Sequence, residues 1–178
     1  MKIAVLGFSG SGKSTLAKQL SEYYDIPLLY LDCVNFEKNW VLRDRDECRK
    51  MVAEFMQNEG WVIDGNYSKM YQTERLEQAD QIIILLYNRF VCMKGAFKRN
   101  IEYKGRVRES MANGCTERMD RWFFLWVVFN QYSKKRKNMF KSIKEKYPDK
   151  TVILRSRKKL NHYLKFIKQA KPDKMKRL

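Results

Sequence analysis

This sequence of 178 residues lacks much that would place it in other classes of protein. No apolar run approaches the roughly 20 residues needed to cross a bilayer. The longest, Trp122 to Phe129, has eight and is short enough for a buried helix. The N-terminus carries one lysine and a short strand-like run that enters a glycine loop directly. A secretory signal would need a longer apolar region and a small-residue cleavage site, so a cytoplasmic protein with no membrane partner is expected. The four cysteines, Cys33, Cys48, Cys92 and Cys115, form no CxxC pair, and His162 is the single histidine. That argues against a zinc site or a disulfide framework and for reduced, mostly buried thiols. No nucleophile–base pair points to acyl transfer. There is no internal repeat, no low-complexity linker and no helix-turn-helix or zinc-finger signature.

Acidic residues are also scarce, but only in one half. Residues 1–90 hold 11 Lys/Arg against 13 Asp/Glu, whereas residues 91–178 hold 26 against 7, so the net charge of +17 resides entirely in the second half. Such a field attracts phosphates, whether on a nucleotide, a phosphorylated product or nucleic acid.

What is present reads as alternating strands and helices. Lys2 to Leu6, Leu28 to Leu31, Trp61 to Ile63, Gln81 to Tyr87 and Thr151 to Leu154 are predicted strands. Ser14 to Tyr24, Arg43 to Asn58, Phe90 to Ile101, Met119 to about Ser142 and Lys158 to Ala170 are predicted helices. This pattern implies an α/β protein with a parallel sheet between helical layers, in one domain covering 1–178. Residues about 33–60 are read as a substrate-side insertion. The arginine-rich segment about 102–118 sits where a lid would cover a site. Trp122, Leu125, Trp126 and Phe129, at helical spacing, are expected in the core, and His162 is expected to be structural. The tail from Lys171 is expected to fray.

The chemistry is carried by Gly7-Phe8-Ser9-Gly10-Ser11-Gly12-Lys13-Ser14-Thr15. Gly7, Gly12, Lys13 and Ser14 match GxxxxGK[ST], after a strand and opening a helix, as phosphate binding requires. Glycines let backbone N–H groups turn inward, and these donors together with the positive helix end hold phosphate oxygens. ATP or GTP with Mg²⁺ is the expected ligand. Lys13 reaches the β- and γ-phosphates, and the Ser14 hydroxyl ligates the metal. Mg²⁺ also favours a carboxylate at a neighbouring strand end. Asp64, in Trp61-Val-Ile-Asp64-Gly65-Asn66-Tyr67, suits that role, with a plain turn aspartate as the alternative. Asp32 would take a proton from an acceptor hydroxyl or approach Mg²⁺, unless it merely caps a helix or a turn. Arg99, Arg106, Arg108 and Arg118, and Arg136 within Lys134-Lys135-Arg136-Lys137, are candidates to neutralise charge on a transferred phosphoryl group.

Taken together, these stretches resemble the small P-loop kinases of the adenylate-kinase-like group. More narrowly, they resemble the bacterial "DNA topology modulation protein" (FlaR-like) family. The likeness rests on the loop at 7–15, Tyr30-Leu-Asp32 followed by Trp40, the run Glu59 to Ser68, Gly105-Arg106 through Gly114-Cys115, and Val152 to Arg157. It implies a three-layer P-loop NTPase fold with a five-stranded parallel sheet of order 2-3-1-4-5 and a lid. It further implies a nucleotide on the loop after the first strand, an acceptor near Asp32 and residues 37–50, and Arg155 near the adenine. The acceptor motif of nucleoside monophosphate kinases is missing from residues 33–60, which leaves the acceptor open. Two functions follow. The first is a kinase moving the γ-phosphoryl of ATP to an unidentified small molecule of the nucleotide or nucleoside type. The second is a nucleotide-dependent DNA-binding or DNA topology-modulating protein that uses the basic second half, including Lys134 to Lys137, Lys141, Lys144 and Lys146.

Overall fold

A computed structural model describes residues 1–117 and 121–169. Its centre is a parallel sheet of β1 (Lys2–Gly7), β2 (Leu28–Tyr30), β3 (Trp61–Asp64), β4 (Gln81–Leu85) and β5 (Thr151–Leu154) in the order β2-β3-β1-β4-β5. Ile3 to Leu6, Trp61 to Ile63 and Ile82 to Leu85 are wholly buried. Burying an aliphatic side chain of this kind contributes about 1.5–3 kcal/mol, so these continuous runs choose the middle of a sheet covered on both faces. Around it lie α1 (Lys13–Tyr24), α2 (Leu31–Asn35), α3 (Arg45–Phe55), α4 (Gln72–Gln78), α5 (Arg89–Glu102), α6 (Arg121–Val128), α7 (Lys134–Lys146) and α8 (Arg157–Gln169).

Register positions the site. Val5 pairs with Asp64, and Tyr30 pairs with Asp64 from the other side. Gly7, Asp64 and Asp32 therefore emerge together at the carboxyl edge of the sheet. The chain crosses there from the β3 side of β1 to the β4 side, a switch point of the kind where α/β folds open a crevice.

Several expectations are corrected. The second strand stops at Tyr30, and Leu31 opens α2, so Asp32 sits in the first turn of a short helix. Leu31 and Val34 are both buried, and that burial outweighs the strand tendency of Leu-Leu-Tyr-Leu. Two helices, α2 and α4, had no separate signal in the sequence. The single helix expected from 119 to about 142 is broken. Its described part ends at Val128, turns through Asn130–Tyr132 and restarts at Lys134. Gln131, fully buried, donates to the Val127 carbonyl and so occupies a group the continuing helix would have needed. The aromatic stripe of α6 is not core: Trp122 is 80% exposed and Phe129 56%. Arg118, Met119 and the tail from Lys171 lie outside the described residues. No helix among the described residues is long and apolar enough to cross a membrane.

Candidate functional site

The loop between β1 and α1 is shaped by three glycines with positive φ: Gly7 (140°), Gly10 (77°) and Gly12 (90°). At Gly7 a Cβ would meet the Leu85 carbonyl at 2.3 Å, and at Gly10 the Cys92 carbonyl at 2.1 Å. At Gly12 it would meet nothing within 4 Å, so this glycine answers to backbone conformation and opens onto free space. Gly12 caps α1, whose first-turn N–H groups, on Lys13, Ser14 and Thr15, have no partner within the helix. Those donors, beside open space, are of the kind that can receive phosphate oxygens.

Two distant amides hold the loop in shape. Asn66 accepts from the Gly7 N–H at 3.0 Å and donates to the Gly7 carbonyl at 2.7 Å. Gln131 accepts from the Ser9 N–H at 2.7 Å and donates to the Ser9 carbonyl at 3.4 Å. Each side chain mimics a neighbouring strand. Ser11 donates to the Phe8 carbonyl at 2.6 Å, and Lys13 Nζ rests on the same carbonyl at 3.2 Å.

Asp64 lies beneath the loop. Its Oδ2 accepts from the Ser14 hydroxyl at 2.7 Å, while Oδ1 is buried with no hydrogen-bond partner. Burial drives its pKa up, and Lys13 and the Ser14 hydroxyl pull it back in part. A buried carboxylate with an orphaned oxygen beside a hydroxyl and those N–H donors fits a Mg²⁺ ion. Such an ion would take its remaining ligands from water and phosphate. Ser14 and Asp64 are the residues that would hold it, Asp64 directly or through water.

Asp32 accepts from the Tyr67 hydroxyl at 2.7 Å. Burial, with Asp32 beside it, raises the Tyr67 pKa, so the phenol remains a donor. Both residues line a cavity of about 910 Å³, together with Ser9, Lys13 and Asp64. Arg99, Arg108 and Arg136 line it too. Glu117, almost fully buried, accepts a hydrogen bond from Arg99 Nε at 2.8 Å and forms an ion pair with Arg108 Nε at 2.6 Å. Burial, and then the neighbouring Arg108, lower the Arg99 pKa, as expected for crowded cations withdrawn from water. The Arg136 guanidinium stacks 5.2 Å over the Trp126 ring. The segment carrying Arg108 is tied down at several points: Cys115 Sγ lies 3.0 Å from the Glu37 carbonyl, Trp40 Nε1 donates to Thr116, and Lys18 pairs with Glu109.

The structure thus brings Lys13, Ser14, Asp32, Asp64, Arg108 and Arg136 around one cavity or its rim. It leaves Arg106 exposed and off the cavity wall, and Arg155 exposed just past β5. Sequence reasoning missed Asn66, Tyr67, Glu117, Gln131 and Arg75. Arg75 is fully buried on α4, where it donates to the carbonyls of Met70, Gly65 and Tyr67 and so braces the loop that carries Asn66 and Tyr67. Burial lowers its pKa to about 10, so it stays charged at neutral pH. Arg75→Lys keeps the charge but loses the planar fork that reaches three carbonyls. It is expected to cost about 2–3 kcal/mol in urea unfolding. Asn66 and Tyr67 stood inside a run already singled out. Gln131 had no signal, because its partner is 122 residues away.

No family model and no curated protein matches the chain. Among solved structures, the shikimate kinase of Bacteroides thetaiotaomicron is 15% identical, with 96% of this chain and 97% of that one covered at a TM-score of 0.54. A protein of Eubacterium ventriosum is 19% identical over 95% and 97% of the two chains, at a TM-score of 0.49. At 15% identity the likeness to the shikimate kinase establishes the fold alone: five parallel strands in the order 2-3-1-4-5 with surrounding helices.

Proposed function

We propose that this chain is a small-molecule kinase that transfers the γ-phosphoryl group of ATP, with Mg²⁺, to an acceptor hydroxyl. One observation carries the reading: the Ser14–Asp64 pair under the phosphate cradle and the Asp32–Tyr67 pair open onto the same cavity. The first pair marks a nucleotide end and the second an acceptor end of that cavity. Lys13 and the α1 N–H groups hold the β- and γ-phosphates. When bound, Mg²⁺ supplies charge neutralisation on the same oxygens. Asp32, held by Tyr67, orients the acceptor hydroxyl and takes its proton. The acceptor oxygen bonds to the γ-phosphorus as the bond from that phosphorus to the β–γ bridging oxygen breaks, leaving ADP. Arg108 and Arg136 face the oxygens on which charge gathers, and Glu117 positions Arg108.

The test is ATP turnover with Mg²⁺ in the presence of pooled nucleotides, nucleosides and hydroxylated metabolites. A rate that the pool raises and that Lys13→Ala lowers by about 10²–10³-fold is expected. The reading fails if no pool raises turnover above the protein's own slow hydrolysis.

The DNA-binding alternative draws on a different surface. Lys134, Lys135, Lys137 and Lys141 are exposed on α7, and Phe90, Phe97, Trp122 and Phe129 are exposed on and just beyond α5 and α6. Exposed cations and exposed rings are the features a single strand would track and stack on. This reading requires DNA retention that falls steeply with salt and responds to nucleotide. Weak retention indifferent to nucleotide would reduce it to charge alone.

A further inference from the structure

A second groove, of about 410 Å³, lies next to the main cavity. Arg45, Ser68 and Lys69 line both, so the two spaces are neighbours that share a wall. The groove adds Arg49, Tyr71, Thr73 and Glu74. Arg45 and Arg49 lie one turn apart on α3 and share a face. Lys69 comes from the loop after β3, and the Arg49 guanidinium stacks 4.7 Å over the Tyr71 ring. Three cations thus meet one carboxylate, Glu74, around a small concavity, with the Ser68 and Thr73 hydroxyls as further donors. Asp44 lies nearby at the wall of the main cavity, but its Oδ1 is engaged in capping α3 through the Asp46 and Glu47 N–H groups. Like charges gathered on two elements repel one another unless an anion sits between them. Phe36 and Trp40 give the main cavity, which also holds Asp32, an apolar part of its lining.

The geometry points to an oxyanion subsite in this groove. Resting on the kinase reading, we assign it to the acceptor: a hydroxyl compound with an apolar middle and, at its far end, a phosphate or carboxylate. The hydroxyl meets Asp32, the body lies along Phe36 and Trp40, and the anion is held by Arg45, Arg49 and Lys69. This excludes neutral nucleosides and simple sugars as preferred acceptors.

The test begins with binding, independent of turnover. In a Lys13→Ala background, which weakens the phosphate cradle, the full chain is titrated calorimetrically with inorganic phosphate and separately with malonate. One saturable site is expected for one of the two anions, phosphate or carboxylate according to the end group. Arg45→Gln/Arg49→Gln/Lys69→Gln should weaken it about tenfold or more. All three residues are exposed, so folding is not at risk. Lys158→Gln/Lys159→Gln, which removes charge from α8 instead, should leave it unchanged. Equal affinity in the groove variant and its parent, or an equal loss in the α8 variant, would overturn the subsite. In turnover assays, anionic hydroxyl compounds should outperform their neutral counterparts, and the groove variant should lose that preference mainly through a higher KM. If neutral acceptors serve equally well, the subsite assignment falls and the kinase survives. If the anion binds as expected and nothing is phosphorylated, the kinase reading falls and the oxyanion site survives.

Discussion

Asp64→Asn is expected to make the nucleotide-free protein more stable while, on the kinase reading, lowering its turnover by about a hundredfold or more. Asp64 is buried with one oxygen unpartnered, and burial raises its pKa above the ordinary 3.8. A carboxyl group whose pKa is raised on folding binds its proton more tightly in the native than in the unfolded chain. It therefore destabilises the fold increasingly as pH rises above about 3.8, and fully once pH passes the folded value. Asparagine keeps an acceptor for the Ser14 hydroxyl and removes that penalty. A gain of about 1–2 kcal/mol, or about 3–6 °C in Tm, is expected at neutral pH. The gain should shrink to nothing as the pH of the melt is lowered toward 4. Turnover, by contrast, should fall on the order of a hundredfold or more, because the carboxylate charge opposite the phosphates is gone. Scanning calorimetry from pH 4 to 8 beside a turnover assay decides it. An Asp64→Asn protein that melts lower than its parent at every pH would mean the carboxylate is already well accommodated without ligand.

The second large effect is expected at Glu117. Its carboxylate joins Arg99 on α5 to Arg108 on the segment over the site, and it is itself 5% exposed. Glu117→Ala leaves two close guanidinium groups in reduced contact with water and without a counter-charge. Removing one member of a buried ionic cluster costs about 3–5 kcal/mol. The lower end applies here, because the arginines keep side-chain exposures of 22% and 12%. The loss should be local. Amide exchange of residues 104–117 should accelerate while that of β1 and β4 stays unchanged. Turnover should drop with it, since Arg108 would no longer be aimed at the cavity. Glu117→Gln separates the causes: it restores the shape but not the charge, so exchange should recover less than half-way. Full recovery would assign the role of Glu117 to packing rather than to its charge.

These two residues differ in how visible they are from sequence. Asp64 ends a short apolar strand and precedes a glycine, a local pattern that identifies a strand-end acid without tertiary information. Glu117 was one of the few acids in a basic half, and nothing around it marked it as the partner of two arginines.

The sequence by itself determined the glycine loop, the five strands and the helices α1, α3, α5 and α8, because each rests on chain-neighbour chemistry: glycine spacing, apolar runs and helical periodicity. What only the tertiary structure decided are the features that depend on residues far apart in the chain. Gln131 clamps Ser9, Asn66 clamps Gly7, and Glu117 gathers arginines from two elements. Leu31 opens a helix where its neighbours favoured a strand, because its side chain finds a buried place. The α6 stripe, apolar enough for any core, leaves Trp122 80% and Phe129 56% exposed. A periodic pattern reports which face of a helix is apolar. Whether anything covers that face is decided by packing alone.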